Sequence, residues 1–154
     1  MRSLSVVMPF FNEAETLELS VSRVLAADRS GLSLELILVD DASTDGSSAI
    51  ADKLAERTPE LHLFRHERNL GKGAALRTGF AAANGDIVLV QDADLEYNPG
   101  EYVKLLQPIL DGMADVVYGS RFRGGEQVRV LFFWHSIGNR FLTLLSNTLT
   151  NLSL

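Results

Sequence analysis

The sequence predicts an α/β fold, a parallel or mostly parallel sheet with helices on both faces. Three observations predict it. Apolar runs of strand length alternate with segments whose apolar residues recur at helical spacing. Two of the runs, Leu34 to Val39 and Ile87 to Val90, read as buried strands, the second as one buried on both faces. The runs end in polar, mostly acidic residues, and in a parallel sheet those ends share one edge.

Each element can be justified in order. Leu4 to Phe11 reads as the first strand, with Pro9 near its end. Asn12, with Glu15 three residues on, has the arrangement of a capping box, and Leu17, Val21, Val24 and Leu25 then share one helical face. Leu34 to Val39 is the second strand and ends in Asp40 and Asp41. Ser43, Thr44 and Asp45 are capping candidates for a helix with Ile50 and Leu54 inward. Leu61 to Phe64 is a third strand. Asn69 to Gly73 is a loop, and an Ala-rich helix runs from Ala74 to the stop signal Asn84-Gly85. Ile87 to Val90 is the fourth strand. Asn98 is a candidate N-cap for a helix from Pro99 with Val103, Leu106, Ile109 and Leu110 inward, and Asp115 to Tyr118 is a fifth strand.

Composition narrows the function. A chain of 154 residues suits one domain with a real core, and 46% hydrophobic with 22% charged residues is ordinary for a globular protein. The net charge of -6 argues against nucleic-acid binding, which usually needs a basic face. The absence of cysteine excludes disulfides, thiolate metal sites and thiol nucleophiles, and suits the cytoplasm. The run Leu4 to Phe11 is broken by Ser5 and ends in Asn12, Glu13 and Glu15, unlike a signal peptide. No stretch of about 18 apolar residues is present to span a membrane.

Asn12 and Glu13 follow strand one, Asp40 and Asp41 strand two, Asp92, Asp94 and Glu96 strand four, and Ser120 and Arg121 strand five. Capping accounts for Asn12, Ser43, Asp45 and Asn98. It does not account for two strands that each end in a cluster of carboxylates, whose repulsion is relieved by solvent or by a shared divalent cation. Hard oxygen ligands without His or Cys beside them suit Mg²⁺ or Mn²⁺ rather than zinc. Mg²⁺ completes its shell with water and substrate phosphates, which points to a nucleoside diphosphate or triphosphate. Asn69 to Ala74 lacks the spacing and the Ser/Thr of a P-loop, and Gly71 to Leu76 lacks the third glycine of a dinucleotide fingerprint. Gly71 to Gly73 therefore reads as a tight helix entry, with phosphates held through metal and arginine.

Five segments, V-V-M-P-F-F-N-E (Val6 to Glu13), V-D-D-A-S-T-D-G (Val39 to Gly46), N-L-G-K-G (Asn69 to Gly73), D-A-D-L-E (Asp92 to Glu96) and G-S-R-F (Gly119 to Phe122), occur in an order that resembles the family 2 glycosyltransferases. More narrowly, the chain is similar to the polyprenyl- or dolichyl-phosphate sugar transferases. The resemblance covers nearly the whole chain and implies a GT-A fold, a Rossmann-like nucleotide-sugar domain over residues 1–127. It implies a nucleotide pocket of Pro9, Phe11, Glu13, Asp41, Lys72 and Asp92, with Phe11 where the family often has Tyr. It implies a metal at Asp94 with Asp92 and Glu96 as further ligands, Glu96 standing where close relatives often have Gln. Asp92, Asp94 and Arg121 would be the catalytic set, Arg121 touching a donor or acceptor phosphate.

The implied reaction moves a sugar from a nucleoside-diphosphate sugar with inversion at the anomeric carbon. Charge that develops on the leaving diphosphate would be met by the metal and by Arg121. A sugar acceptor needs a general base, whereas a lipid phosphate is already anionic and needs only cations to hold it. Arg121, Arg123, Arg129, His135 and Arg140 are candidates, His135 reading equally well as a surface residue of an amphipathic helix.

Residues 128–154 are strongly apolar with interspersed basic residues. They suit either a membrane-interface segment or a helix packed on the sheet. They read as the start of an acceptor or membrane-proximal region at which the chain is truncated, which places the protein peripherally at the cytoplasmic face of a membrane. Two other classes compete. A phosphoacceptor receiver also gathers acids at strand ends but needs a Lys after its last strand, where this chain has Ser120 and Arg121. A nucleotide-sugar or membrane-binding module without turnover is the other.

Overall fold

The computed structural model describes residues 2–119. Arg121, Arg123, Arg129, His135, Arg140, the 128–154 segment and the expected boundary after residue 127 lie outside the described residues. The chain divides into two compact units, Met1–Val117 and Tyr118–Leu154. All the described strands and helices belong to the first unit.

Four strands, β1 (Ser3–Phe10), β2 (Ser33–Asp40), β3 (Leu61–Arg65) and β4 (Ile87–Val90), form one sheet in the order β3-β2-β1-β4. Every pairing is parallel, from Leu4↔Ile87 to Val7↔Val90 on one side of β1 and from Ser3↔Ser33 to Phe10↔Asp40 on the other. The connections carry α1 (Leu17–Ala26), α2 (Ser47–Arg57) and α3 (Lys72–Ala82), and α4 (Tyr102–Leu110) follows β4 after a single 3-10 turn. The strand order reverses at β1, so the crevice beyond the ends of β1 and β4 is the topological switch point where open α/β sheets bind ligands.

The two-residue period of β1 sorts its side chains between two cores. Leu4, Val6, Met8 and Phe10 join Leu36, Leu38, Ile87 and Leu89 against Leu17, Val21 and Val24 of α1, Ala51 and Leu54 of α2, and Tyr102 and Leu106 of α4. Val7, Ile37 and Val39 on the opposite face meet Ala75 and its neighbours in α3. Helices therefore cover both faces, as expected. Each fully buried aliphatic chain contributes about 1.5–3 kcal/mol, so these clusters rather than helix propensity hold the layers together. The smaller core is thin because α3 lies very close to the sheet: a Cβ at Gly79 would meet Val7 Cγ1 at 2.3 Å.

Several expectations need correction. β4 is not buried on both faces: Ile87 and Leu89 are buried, but Val88 and Val90 are 44% and 41% exposed. β4 is an edge strand among the described residues, and α3 packs over β1 and β2. An unbroken apolar run of four cannot distinguish one covered face from two. Residues 115–118 form no strand; no described strand pairs with them, and Val116 and Tyr118 are exposed. The Asn12 capping box does not form. Asn12 adopts a left-handed conformation (φ 57°), which Asn tolerates, and α1 starts later, at Leu17, with Thr16 as N-cap. Gly46 (φ 100°) occupies the N-cap position of α2, and of the three expected capping residues only Asp45 reaches the helix, its Oδ1 accepting from the Ser47 amide at 3.0 Å; α2 buries Ala51 and Leu54 with Ile50 only half-buried. α3 begins at Lys72, two residues before the expected Ala74. Tyr102 rather than Val103 faces inward from α4. Asn98 does cap as expected, its Oδ1 accepting from the Gly100 amide at 3.0 Å. Among the described residues no helix is long and apolar enough to cross a membrane.

Candidate active site

The site is made by loops, and the residues that suit helix caps tie those loops together. The Asn12 amide donates to Ser43 Oγ at 3.0 Å and Asn12 Oδ1 accepts from the Thr44 amide at 2.7 Å. The Glu13 amide donates to Ser47 Oγ at 2.8 Å and the Ala14 amide to Asp45 Oδ2 at 3.0 Å. The turns after β1 and β2 thus satisfy each other's polar groups and present Pro9, Phe11 and Glu13 on one wall.

The two acids at the end of β2 separate. Asp40 is buried and turns toward α2. It accepts from the Ser43 amide at 2.9 Å and from the Ser48 hydroxyl, with Arg65 Nε at 3.6 Å. Asp41 turns toward the cleft, also buried. Its carboxylate accepts from the Leu70 amide (2.9 Å), the Gly71 amide (2.7 Å) and His66 Nδ1 (2.7 Å), and His66 Nε2 reaches Thr78 Oγ1 at 2.9 Å. Asp41 therefore fixes the loop that enters α3.

Burial opposes ionisation of Asp41, but the Leu70 amide, the His66 ring and the Gly71 amide outweigh it and hold the carboxyl below its ordinary value. The stability this group contributes is present above the ordinary carboxylate range and lost as the pH falls below about 4, through the lowered value. In thermal melts across that range, the gap between wild type and Asp41→Asn is expected to be widest near neutral pH and to narrow in acid. A gap independent of pH would contradict this account.

The α3 entry supplies the cleft's cation. Gly71 (φ 85°) makes the sharp turn that a side chain disfavours, and Lys72 follows as the first helical residue. Lys72 Nζ lies 2.6 Å from both carboxylate oxygens of Asp92. Beyond β4, the buried Gln91 braces the next loop. Its Nε2 donates to the carbonyls of Asp92 (3.0 Å) and Tyr97 (3.3 Å), and its Oε1 accepts from the Tyr102 hydroxyl at 2.9 Å, whose titration burial pushes upward. Asp94 Oδ1 accepts from the Glu96 amide at 2.9 Å, closing a turn in which Leu95 is left-handed (φ 64°). Ala42, which directly follows Asp41, is also left-handed (φ 65°). Such residues cost about 1 kcal/mol each and gather at functional loops.

These loops enclose a cleft of about 340 Å³ at the switch point. Pro9, Phe11, Glu13, Asp41, Lys72, Asp92 and Asp94 all line it, together with Asn69 and Ala75. The family model of Glycosyl transferase family 2 matches this chain over residues 5–151. The chain belongs to that family.

Among relatives of this family 2 chain, the dolichol-phosphate mannosyltransferase of Pyrococcus furiosus is 35% identical over 134 residues, 87% of this chain and 37% of that one. An undecaprenyl-phosphate 4-deoxy-4-formamido-L-arabinose transferase of Photorhabdus laumondii is 41% identical over 119 residues, 75% of this chain and 36% of that one. The polyprenol monophosphomannose synthase of Mycolicibacterium smegmatis is 39% identical over 128 residues, 80% of this chain and 47% of that one. A mannosyltransferase of Pyrobaculum calidifontis, solved with GDP-Man and Mn2+, superimposes with a TM-score of 0.54 at 35% identity, over 60% of this chain and 28% of that one. The family 2 chain thus has an α/β fold of the GT-A type and spans less than half the length of these relatives.

Glu96 is not part of the cleft wall, and among the described residues no three His, Cys, Asp or Glu side chains are grouped to hold a metal ion. Asp92 and Asp94 nonetheless give the wall two hard oxygen donors. Mg²⁺ and similar ions are usually held by one or two carboxylates plus water and substrate phosphate. The donor set of this family 2 chain therefore fits a divalent ion that arrives with a diphosphate, not one in an all-protein cage. Sequence reasoning missed His66, Thr78, Gln91 and Tyr102. A signal existed for Gln91, an amide placed directly after an apolar run, where burial demands partners.

Proposed function

We propose that this chain forms the donor-binding part of an inverting glycosyltransferase that moves a sugar from a nucleoside-diphosphate sugar to a polyprenyl (dolichyl-type) phosphate. The observation that carries the reading is the meeting of Asp92, Asp94, Asp41 and Lys72 in one cleft beyond β1 and β4. The names of the relatives support the acceptor class, and the GDP-Man and Mn2+ of the Pyrobaculum structure support the donor and a divalent ion.

In this reading Pro9, Phe11 and Glu13 receive the base and ribose. Asp41 sets the loop that closes over them. Asp92 and Asp94 hold Mg²⁺ or Mn²⁺. The ion would neutralise charge that develops on the departing diphosphate. Lys72, at the N-terminus of α3, adds a mobile cation where a helix already favours phosphate. Residues 1–127 would carry the donor site, and 128–154 would begin a region near the acceptor and the cytoplasmic membrane face. Arg129, His135 and Arg140 of that region, with Arg121 from the end of the first, hold the lipid phosphate. An anionic acceptor oxygen needs no base, which agrees with a wall whose acids are all committed to partners or metal.

A screen of GDP- and UDP-sugars with Mn²⁺ and a polyprenyl phosphate tests the reading. Metal-dependent nucleotide binding with glycolipid formation is the expected result. Failure of both nucleotides to bind in the presence of metal would overturn the donor site, and binding with transfer only to a free sugar would overturn the lipid acceptor.

A further inference from the structure

We infer that Lys72 is a displaceable counter-ion that competes with the divalent metal for Asp92 and couples metal entry to nucleotide binding. This rests on the donor-site reading above and concerns how that site is loaded.

The inference starts from the charges that face the cleft. Among the described residues its wall has four carboxylates, Glu13, Asp41, Asp92 and Asp94, and one cation, Lys72. Three of the acids accept hydrogen bonds from neighbouring groups of the fold. Glu13 accepts from Thr16 Oγ1 at 2.6 Å, Asp41 from two amides and His66, and Asp94 from the Glu96 amide. The Asp92 carboxylate is different. It is largely buried, with 12% of its side chain exposed, and both its oxygens point to the Lys72 ammonium. Lys72 is anchored only by its backbone, and 58% of its side chain is exposed. One partner of the pair is fixed and desolvated, whereas the other sits on a four-carbon stem that can swing.

Removing the ammonium alone would leave a buried carboxylate uncompensated, which is costly. Lys72 can leave only if another cation replaces it, and it leaves most readily if an anion waits for it. A divalent ion and a diphosphate meet both conditions at once. The ion takes over Asp92, and the ammonium moves to the phosphate at the mouth of its own helix. The free site is then poor at binding either component alone, and each strengthens the other. A charge exchange of this kind leaves no empty acid pair in the unloaded state to capture stray metal.

The test measures binding rather than turnover. Mn²⁺ affinity is read by electron paramagnetic resonance with and without GDP or UDP, whichever binds wild type, and nucleotide affinity by calorimetry with and without Mn²⁺. Lys72→Met is expected to bind Mn²⁺ alone about fivefold more tightly than wild type, since a half-exposed pair is screened by solvent. It should bind nucleotide alone more weakly, and the mutual enhancement of the two should shrink. Lys72→Arg, which keeps the charge, should retain the coupling. Thermal melts confirm folding in both, and Lys72→Gln serves if Lys72→Met does not fold. If Mn²⁺ affinity without nucleotide stays within about twofold of wild type while wild type still binds the pair cooperatively, the counter-ion role is wrong and the donor site stands. If wild type binds neither component even when both are present, the donor site itself fails.

Discussion

Asp94→Asn is expected to lower glycosyl transfer by about 10²- to 10³-fold, the usual scale for removing one preorganised contact to charge that develops in a transition state. The substitution keeps the shape of the side chain and its Oδ1. The bond from the Glu96 amide, which closes the Asp94–Glu96 turn, can therefore persist. The formal charge that a divalent ion needs is lost. The melting temperature should stay near that of wild type, because Asp94 lies in an exposed loop outside both cores. The loss should fall on kcat and on the concentration of Mn²⁺ needed for half-maximal rate, read from initial rates at saturating donor. Glu96→Gln is the comparison. Glu96 is outside the cleft wall, so its loss is expected to cost less than about threefold, the scale of an exposed charge. Activity of Asp94→Asn within tenfold of wild type, or equal losses in the two variants, would refute the assignment of Asp94 as a metal ligand.

Much of this site is legible in the sequence because topology does the work. Once strands and helices alternate, parallel pairing follows, and every strand end falls on one edge. Glu13, Asp41, Asp92 and Asp94 can thus be placed together without any side-chain geometry, whereas Pro9, Phe11 and Lys72 are reached only through the family resemblance. What the sequence hides is what depends on direction. Asp40 and Asp41 are adjacent, and nothing in their identity says that one turns to α2 and the other to the cleft. That choice follows from where the Leu70 and Gly71 amides arrive, across 30 residues of chain. Asn12 and Ser43 suit helix caps because their oxygens match helix amides, but they satisfy amides of a neighbouring loop instead, and Asp45 divides its oxygens between the first amide of α2 and the Ala14 amide. The same valence is used at long range, which local pattern cannot reveal. Val88 and Val90 mislead for a related reason: β-propensity reports the character of a strand, not which neighbours cover it.

Gly85→Ala is expected to damage the fold heavily, although Gly85 precedes β4 and the cleft lies beyond that strand's other end. It lies in the link from α3 to β4, where the chain turns back beneath the sheet. Its amide donates to Ser5 Oγ at 2.8 Å, and a Cβ there would stand 2.6 Å from both the backbone nitrogen and the hydroxyl of Ser5. Ser5 is fully buried in β1, which pairs with β2 on one side and β4 on the other, so it cannot retreat without moving the centre of the sheet. The Ser5 hydroxyl also bonds Glu35, whose carboxylate accepts from the Asn84 amide and side chain at 2.9 Å each. Burial opposes ionisation of Glu35, but these bonds and the nearby His62 prevail and hold its carboxyl below the ordinary value. A methyl at Gly85 therefore collides with backbone and disturbs this cluster together, for a loss of about 2–3 kcal/mol. In a chain of this size that lowers the melting temperature by about 5–10 °C. Gly73→Ala provides the opposite case. Its Cβ would meet nothing nearer than Arg77 Nη1 at 3.9 Å within α3, so the gain in helix propensity should leave stability unchanged or up to about 0.5 kcal/mol higher. Calorimetric melts of the two variants decide the matter: a Gly85→Ala protein that melts within about 1 °C of wild type would show that the link yields where the packing says it cannot.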